Sequence, residues 1–414
     1  MSLVSHAARL VARSRYRLVD DLAASPRPDD APHAHAPGVD PDRVLVLGNG
    51  PAVGWGVRSH DLALPGHLAR KLSALTGRGA DVDALAAPSV TIATARDLLA
   101  VRSIRDYDAV VVVVGLSDAL RLVSVERWSA DLCALLGAVD EETDPSCHVV
   151  VMAVHAPSSV PKFTVPVGGH ADQHAELMNE AARALCAGRD RTHFLLPPAP
   201  PTATAREVLG TPGRGTGGGD GGRQVLRYAD WAAGQAALLA PLLDAELERG
   251  GTARSTRHAP QDEAVRLQAI RELGLLDSPH EQRFDELVER ARVLLGTQGA
   301  AFSVIGDGRH WNKAISGSSQ LELPIADSFC AHTIRSGRPL VVPDAWNDAR
   351  FVSHPSVRFY AGHPIETAEG VRIGALCVVD AEPRSGDGVD LVLLRELAMQ
   401  VQRELRTSPA TAGP

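Results

Sequence analysis

Few side chains in this chain stand at spacings that chemistry uses. His170 and His174 lie four residues apart in a stretch of helical periodicity, which would put both imidazoles on one face, where a metal can be held. Ala171 follows His170 where a zinc protease needs glutamate, and no third ligand is at hand. No metal is expected, and the pair reads as surface histidines. His33 and His35, in a proline-rich stretch, read as solvated. The glycine-dense run 213–222 invites phosphate binding, but it lacks a closing Gly-Lys-Ser/Thr and falls late rather than after a first strand, so it reads as a loop. Cys133, Cys147, Cys186, Cys330 and Cys377 are widely spaced and form no C-x-x-C pair, which argues against a zinc ribbon, a thioredoxin motif or a disulfide framework.

The elements that must position any site alternate in the first half. Arg43–Leu47 is a buried strand running into Gly48–Asn49–Gly50, followed by helical spacing over Leu62–Leu75, a strand at Val82–Leu85 and a helix over Thr91–Val101. The apolar run Ala109–Val114 stops abruptly at Gly115, as a parallel core strand buried on both faces does. Helix Val125–Gly137, strand His148–Val154, helix His170–Ala187, strand His193–Leu196 and helix Tyr228–Leu247 complete the pattern. Such alternation predicts a parallel α/β sheet with ligand sites at the carboxyl ends of its strands. Residues 3–23 read as an arginine-bearing amphipathic helix, and 24–42 as a proline-rich linker.

The second half changes character after the small, polar stretch Gly250–Pro260. Helices at Glu263–Leu275 and Gln282–Leu295 precede strands near Ala300–Ile305 and His310–Ile315, a helix near Ser328–Ser336 and a strand at Leu340–Val342. Strands Val357–Ile365 and Val371–Val379 flank a turn, and a helix over Leu391–Leu405 closes the pattern. Helices at both ends of hairpin-paired strands predict an α+β domain with an antiparallel sheet.

Composition narrows the classes. The 414 residues are enough for two domains, and 44% apolar with 22% charged residues is globular. A net charge of −8 argues against a protein built to grip nucleic acid. Only three of the 42 basic residues are lysine, which reads as coding bias before function. No apolar stretch approaches the roughly 20 residues a membrane helix needs, and residues 1–22 make a poor signal peptide. A cytoplasmic protein without membrane or nucleic-acid partners is expected.

Residues 43–247 resemble the SGNH (GDSL-type) esterase family. The resemblance is carried by Val44–Leu45–Val46–Leu47–Gly48–Asn49–Gly50, by Gly115–Leu116–Ser117–Asp118 and by Tyr228–Ala229–Asp230–Trp231–Ala232. It implies a flavodoxin-like parallel sheet with helices on both faces, a serine nucleophile in the first turn, glycine and asparagine oxyanion donors, and a late histidine base. This sequence departs at each position. Asn49 stands for the nucleophile, and an amide cannot be activated as a hydroxyl is. Ser89 stands for the glycine and Ser117 for the asparagine, while no histidine occurs between His193 and His258. Without nucleophile and base, a triad loses on the order of 10⁶-fold in rate. A degenerate, non-catalytic domain is expected; the alternative is an esterase using a relocated serine, such as Ser59, Ser89 or Ser117.

Residues 263–406 resemble a GAF sensor domain of bacterial signalling proteins. The resemblance rests on Arg266–Pro279, Asp327–Ile334, Pro339–Ala345, Asp348–Phe351, Arg358–Gly362 and Ile373–Asp380. It implies a pocket on one sheet face, with Phe329, Cys330, His332, Asp344, Arg350, Phe351 and Tyr360 as candidate ligand-binding residues. A bilin-attaching cysteine in this fold adjoins a histidine directly, whereas Ala331 separates Cys330 from His332, so no chromophore or other cofactor is expected. Cys330 as a redox-sensing thiol would need a lowered pKa; otherwise these side chains pack the pocket wall.

The organisation expected is an N-terminal segment 1–42, an SGNH-like domain 43–247, a linker 248–262, a GAF domain 263–406 and a tail 407–414. No kinase, cyclase or DNA-binding output is recognisable, so signal should pass to the SGNH-like domain or to a separate signalling partner protein. A small molecule should occupy the GAF pocket. The apolar edge Leu394, Val401 and Leu405 on the last helix suggests a homodimer through the terminal GAF helices. A scaffold with both pockets unused is a further reading.

Overall fold

The computed structural model of the chain describes residues 26–100, 103–159, 168–197, 219–250, 261–317, 322–325, 328–351 and 356–407. The N-terminal helix expected over 3–23 and the interdomain stretch 251–260 lie outside the described residues. The chain falls into two compact units, one centred on Pro41–Arg254 and the other on Ser255–Pro414.

The first unit is built on a six-stranded sheet. Its strands are β1 (His33–Ala36), β2 (Asp42–Gly48), β3 (Ala80–Ala86), β4 (Ala109–Val113), β5 (His148–Met152) and β6 (Thr192–Leu195), in the order β1-β3-β2-β4-β5-β6. All pairings from β3 to β6 are parallel, while β1 joins the edge antiparallel to β3. The parallel order is that of flavodoxin-like doubly wound sheets, whose topological switch point lies between the first and third parallel strands, here β2 and β4. Helices α1 (Leu64–Thr76), α2 (Ile92–Leu99), α3 (Leu116–Leu120), α4 (Val125–Glu142), α5 (Gly168–Ala187) and α6 (Gly219–Glu248) complete the unit. Trp128 of α4 and Met178 of α5 pack one sheet face, and Leu68 of α1 with Leu239 of α6 packs the other.

Two local expectations change. The stretch read as linker supplies β1, because Ala34 and Ala36 alternate inward while the prolines stay outside the four paired residues. His33 is accordingly not solvated: its Nδ1 meets Asp83 Oδ1 at 2.8 Å, and Tyr107 Oη donates to Asp83 Oδ2 at 2.6 Å. Residues 219–222, read as loop, form the first turn of α6, carried into helix by the packed segment that follows.

The second unit is a six-stranded antiparallel sheet. It comprises β7 (Gly299–Gly306), β8 (Arg309–Gly317), β9 (Glu322–Pro324), β10 (Leu340–Val342), β11 (Phe359–Glu366) and β12 (Arg372–Asp380), in the order β10-β11-β12-β7-β8-β9. Helices α7 (Glu263–Leu273), α8 (Gln282–Leu294) and α10 (Leu391–Thr407) seal one face against Phe302, Phe359 and Leu376. Helix α9 (Phe329–Ser336) covers the other. Leu394 and Val401 are fully buried and Leu405 nearly so, within this core. The apolar edge expected to pair two chains is therefore spent on the domain's own sheet, because α10 packs both on β11 and β12 and beside α8.

Gly48, the last residue of β2, has φ +135°, and an added Cβ would sit 2.0 Å from the Val113 carbonyl oxygen. Gly48→Ala is expected to cost well over 1 kcal/mol, read as a lower urea midpoint with an unchanged slope. An unchanged midpoint would show that the β2–β4 approach can relax.

Candidate functional site

The strand ends of the first unit gather the residues expected to descend from an esterase site. Asn49, immediately after β2, is 3% exposed, and its backbone N–H donates to Val113 O at 2.7 Å. Its side-chain Nδ2 donates to Val90 O at 2.5 Å and to Ser117 Oγ at 3.3 Å. One amide thus ties together the turns after β2, β3 and β4 across the switch point. Asn49 and Ser117 are brought into contact and buried, whereas Ser89 is exposed beside Val90. A hydroxyl at position 49 could not hold both partners this way, since it has one proton to donate.

Asp118 closes the same cluster by accepting the Ile92 N–H of α2 at 3.2 Å. Burial pushes its carboxyl up to about 6, against the pull of that N–H and of Arg121. Elsewhere in the unit, His60 Nδ1 meets Asp30 Oδ1 at 2.6 Å, and Asp30 also accepts the His60 backbone N–H. Tyr228 Oη, near the start of the packed part of α6, donates to Trp55 O at 2.8 Å. His174 Nε2 bonds Val123 O at 2.6 Å, a structural tie between α5 and the α3–α4 connection. Among the described residues no group of three or more His, Cys, Asp or Glu could hold a metal ion.

The second candidate site lies between α9 and the face of the antiparallel sheet that α9 covers. Phe329 stacks on Phe351 with centroids 4.2 Å apart and on Tyr360 at 4.9 Å, and His332 stands edge-on to Phe351 at 4.9 Å. Burial and the flanking Arg335 and Arg350 hold the His332 imidazole below its ordinary value. Phe329, Cys330, His332, Phe351 and Tyr360 therefore come together as expected. Asp344 does not join them, and Arg350 only borders them, its guanidinium 5.2 Å from the Phe351 ring centroid. Asp344 caps the turn Ala345–Asn347 and takes a bidentate pair from Arg358, while Arg350 is exposed and pairs with Asp348.

Beneath the rings lies a polar floor that the sequence reading missed. Ser303 of β7 donates to Asn312 Oδ1 of β8 at 2.6 Å, and His310 Nε2 meets the same oxygen at 3.0 Å. The Cys330 thiol faces Ser303 Oγ at 3.5 Å, Tyr360 Oη donates to Cys330 Sγ at 3.5 Å, and Thr333 Oγ1 shares a 2.7 Å bond with Tyr360 Oη. Cys377 of β12 is buried in the same cluster as Cys330. The available signal was His310–x–Asn312, two polar residues on one face of an otherwise apolar strand. A surface groove of about 450 Å³ between α8 and α10, lined by Arg283, Arg290, Arg403 and Glu286 among others, lies on the opposite side of the domain.

The second unit is thus an antiparallel sheet with three helices sealing one face and one helix packed over a buried polar cluster on the other. Residues 279–405 match the GAF domain family, and the second unit carries a GAF domain. A cyclic di-GMP phosphodiesterase of Pseudomonas aeruginosa is 36% identical over 159 residues, 37% of this chain and 27% of that protein, so the chain spans about a quarter of that relative's length. Among solved structures, the GAF domain of an Acinetobacter phosphoenolpyruvate-protein phosphotransferase is 14% identical, over 36% of this chain and 96% of that one, with a TM-score of 0.28. A free methionine-R-sulfoxide reductase of Neisseria meningitidis, solved with its substrate, is 18% identical over 36% and 96%, with a TM-score of 0.27. No helix of the described residues is long and apolar enough to cross a membrane.

The Asp118 carboxyl yields a test of the strand-end cluster. Because its folded value is raised, the folded chain binds this proton more tightly than the unfolded one. The group therefore costs stability above pH 6, by about 3 kcal/mol, and the cost fades as pH falls through about 6 toward the unfolded value. Asp118→Asn should raise the melting temperature at pH 8 and lose that advantage near pH 4. An equal gain at both would show that the proton is not the cause.

Proposed function

We propose that this chain is a sensory signalling protein. Its GAF domain binds a small molecule in the pocket between α9 and the sheet, and its first unit is an SGNH-type domain that has given up hydrolysis. The observation that carries the sensor reading is the match of residues 279–405 to the GAF family, and it is supported by stacked rings over buried hydrogen-bonding groups beneath α9, the mix of apolar and few placed polar atoms that small-molecule sites use. The match to a cyclic di-GMP phosphodiesterase supports a place in signalling. The flavodoxin-like strand order, with Asn49 and Ser117 meeting at the switch point, supports the SGNH-type reading of the first unit. In that reading Asn49 has exchanged nucleophilic chemistry for a structural clamp, and the unit relays or docks rather than cleaves. Signal then passes to a partner protein.

Two measurements test this. Native mass spectrometry of the full chain, purified without added ligand and screened afterwards against a metabolite panel, should reveal a non-covalently bound small molecule that raises the melting temperature. No bound species and no thermal shift across the panel would overturn the sensor reading. Short-chain aryl and acyl esters should not be turned over above background. A rate abolished by Ser59→Ala, Ser89→Ala or Ser117→Ala would instead establish a relocated nucleophile.

A further inference from the structure

The space between α9 and its sheet is closed by a stack of three rings. Phe329 of α9 lies 4.9 Å from Tyr360 of β11 with planes 15° apart, and 4.2 Å from Phe351 with planes 25° apart. His332, about one turn along the helix, stands edge-on to Phe351 at 4.9 Å and 75°. Phe351 ends the stack and is only 2% exposed. It therefore fills a slot walled by one aromatic face and one imidazole edge. Stacked and edge-on contacts of this kind depend on a flat ring and not on its being a phenylalanine.

What holds Phe351 in that slot is packing. Its segment, Asp344–Phe351, joins β10 to β11 and contains a single short turn at Ala345–Asn347. The near end is tied to β11's leading edge: the Ala345 N–H donates to Arg358 O at 2.7 Å, and Arg358 forks onto the Asp344 carboxylate. From Trp346 onward the backbone bonds turn back on the segment itself. Asn347 N–H donates to Asp344 O at 3.0 Å, Asp348 N–H to Ala345 O at 3.3 Å and Phe351 N–H to Asp348 O at 2.9 Å. Arg350 pairs with Asp348, and Trp346 is 57% exposed. Among the described residues, the Phe351 ring is thus the far end's hold on the α9 face. A segment fixed at one end by polar bonds and at the other by one ring can release that ring without unmaking a strand or a helix.

We propose that Phe351 is the built-in occupant of the GAF ligand site, and that the site's ligand is a planar, single-ring aromatic molecule that takes its place against Phe329 and His332. The proposal rests on reading this pocket as the sensor site, and it names the ligand class and the way occupancy is relayed. An aliphatic ligand would forfeit the stacked and the edge-on contact together, and a fused two-ring molecule exceeds the space one phenyl ring vacates. Burial and the flanking arginines hold the His332 imidazole below its ordinary value, so it is neutral near pH 7 and meets a ring hydroxyl as a hydrogen-bond partner. Ligand and Phe351 compete for one slot, so apparent affinity is reduced by the fraction of chains in which the slot stands open. The displaced ring carries Arg350 and the exposed Trp346 with it, which turns occupancy into a change on the domain's surface.

The test uses the full chain, with phenol as probe and cyclohexanol as its non-planar counterpart. Calorimetric titration should show phenol binding to the natural chain and cyclohexanol failing to bind. Hydrogen exchange read by mass spectrometry should rise over 346–351 when phenol is bound and fall over α9. Phe351→Ala should bind phenol about tenfold tighter or more, because its competitor is gone, with Phe351→Leu in between and Phe329→Ala losing the binding. Circular dichroism checks that each variant is folded, and the exchange result in the natural chain stands without them. Cyclohexanol binding as tightly as phenol, equal phenol affinity with and without the Phe351 ring, unchanged exchange over 346–351, or no phenol bound by the natural chain and Phe351→Ala alike overturns the proposal. A non-aromatic metabolite found on the purified chain would sink the plug and leave the sensor reading standing. Phenol displacing Phe351 in a chain that answers to no metabolite would sink only the sensor reading.

Discussion

The space beneath α9 is governed by one constraint: Ser303, His310, Asn312, Cys330, Thr333, Tyr360 and Cys377 are all withdrawn from water on one side of one sheet. A buried donor or acceptor left unpaired costs about 1–3 kcal/mol, so these groups must satisfy one another. They do so as a chain. Asn312 Oδ1 accepts from Ser303 and His310, Cys330 sits between Ser303 and Tyr360, and Thr333 completes the link back to α9. Helix α9 is thereby held to the sheet by polar contacts as well as by Phe329 and Ile334. The opposite face, built from Phe302, Phe359, Leu376 and the helical side chains over them, needs no such pairing and is sealed.

The first unit solves a similar problem with one amide. Its switch point is a place where three turns converge with unpaired backbone groups, and Asn49 satisfies the Val90 carbonyl and Ser117 hydroxyl at once. Gly48, at positive φ, lets the turn after β2 approach Val113 at the end of β4, and Gly115, also at positive φ, gives room to Val154 beyond β5. Asp118 pays for its place there with a carboxyl raised by burial, which is the mark of a group retained in spite of its surroundings. The strand ends that α/β folds use for ligands are here filled by groups tied to one another.

What could be read from residues alone was whatever depended on neighbours in the chain. The valine run 109–113, the glycine that ends it, and the switch to hairpin-paired strands after 299 are local patterns, and both sheets follow from them. The pocket wall was legible because Phe329, Cys330 and His332 lie within one helical turn. The misses are non-local. β1 escaped because its partners are far along the chain: its four residues pair with Ala80–Asp83 of β3, and His33 meets Asp83 fifty residues on. The floor escaped because a bulge between Phe302 and Ser303 shifts the register, so that Phe302 faces Ala314 while Ser303 faces Asn312. The edge of α10 looked spare because a helix packed on a sheet and beside α8 buries more than one stripe.

The aromatic wall limits how strongly the floor can influence the rest of the domain. Phe329 is the shared ring: it touches Tyr360 of the floor on one side and Phe351 of the 345–351 segment on the other. Cys330, next to it on α9, moves with it. Any change at the sulfur that tilts the first turn of α9 must therefore disturb two ring contacts, each worth about 0.5–1.5 kcal/mol. The coupling between floor and outer segment is then about 1–3 kcal/mol, or 5–150-fold in an equilibrium, which is the ordinary range for a regulatory domain. A larger effect would need the Asp344–Arg358 pair to break as well, since it anchors the same segment to β11's leading edge, with Arg358 stacked 4.1 Å from the Trp346 ring centroid. That pair lies outside the ring cluster, so the stack and the anchor of the outer segment are separate contacts, and a disturbance at Phe329 leaves the Asp344–Arg358 pair intact.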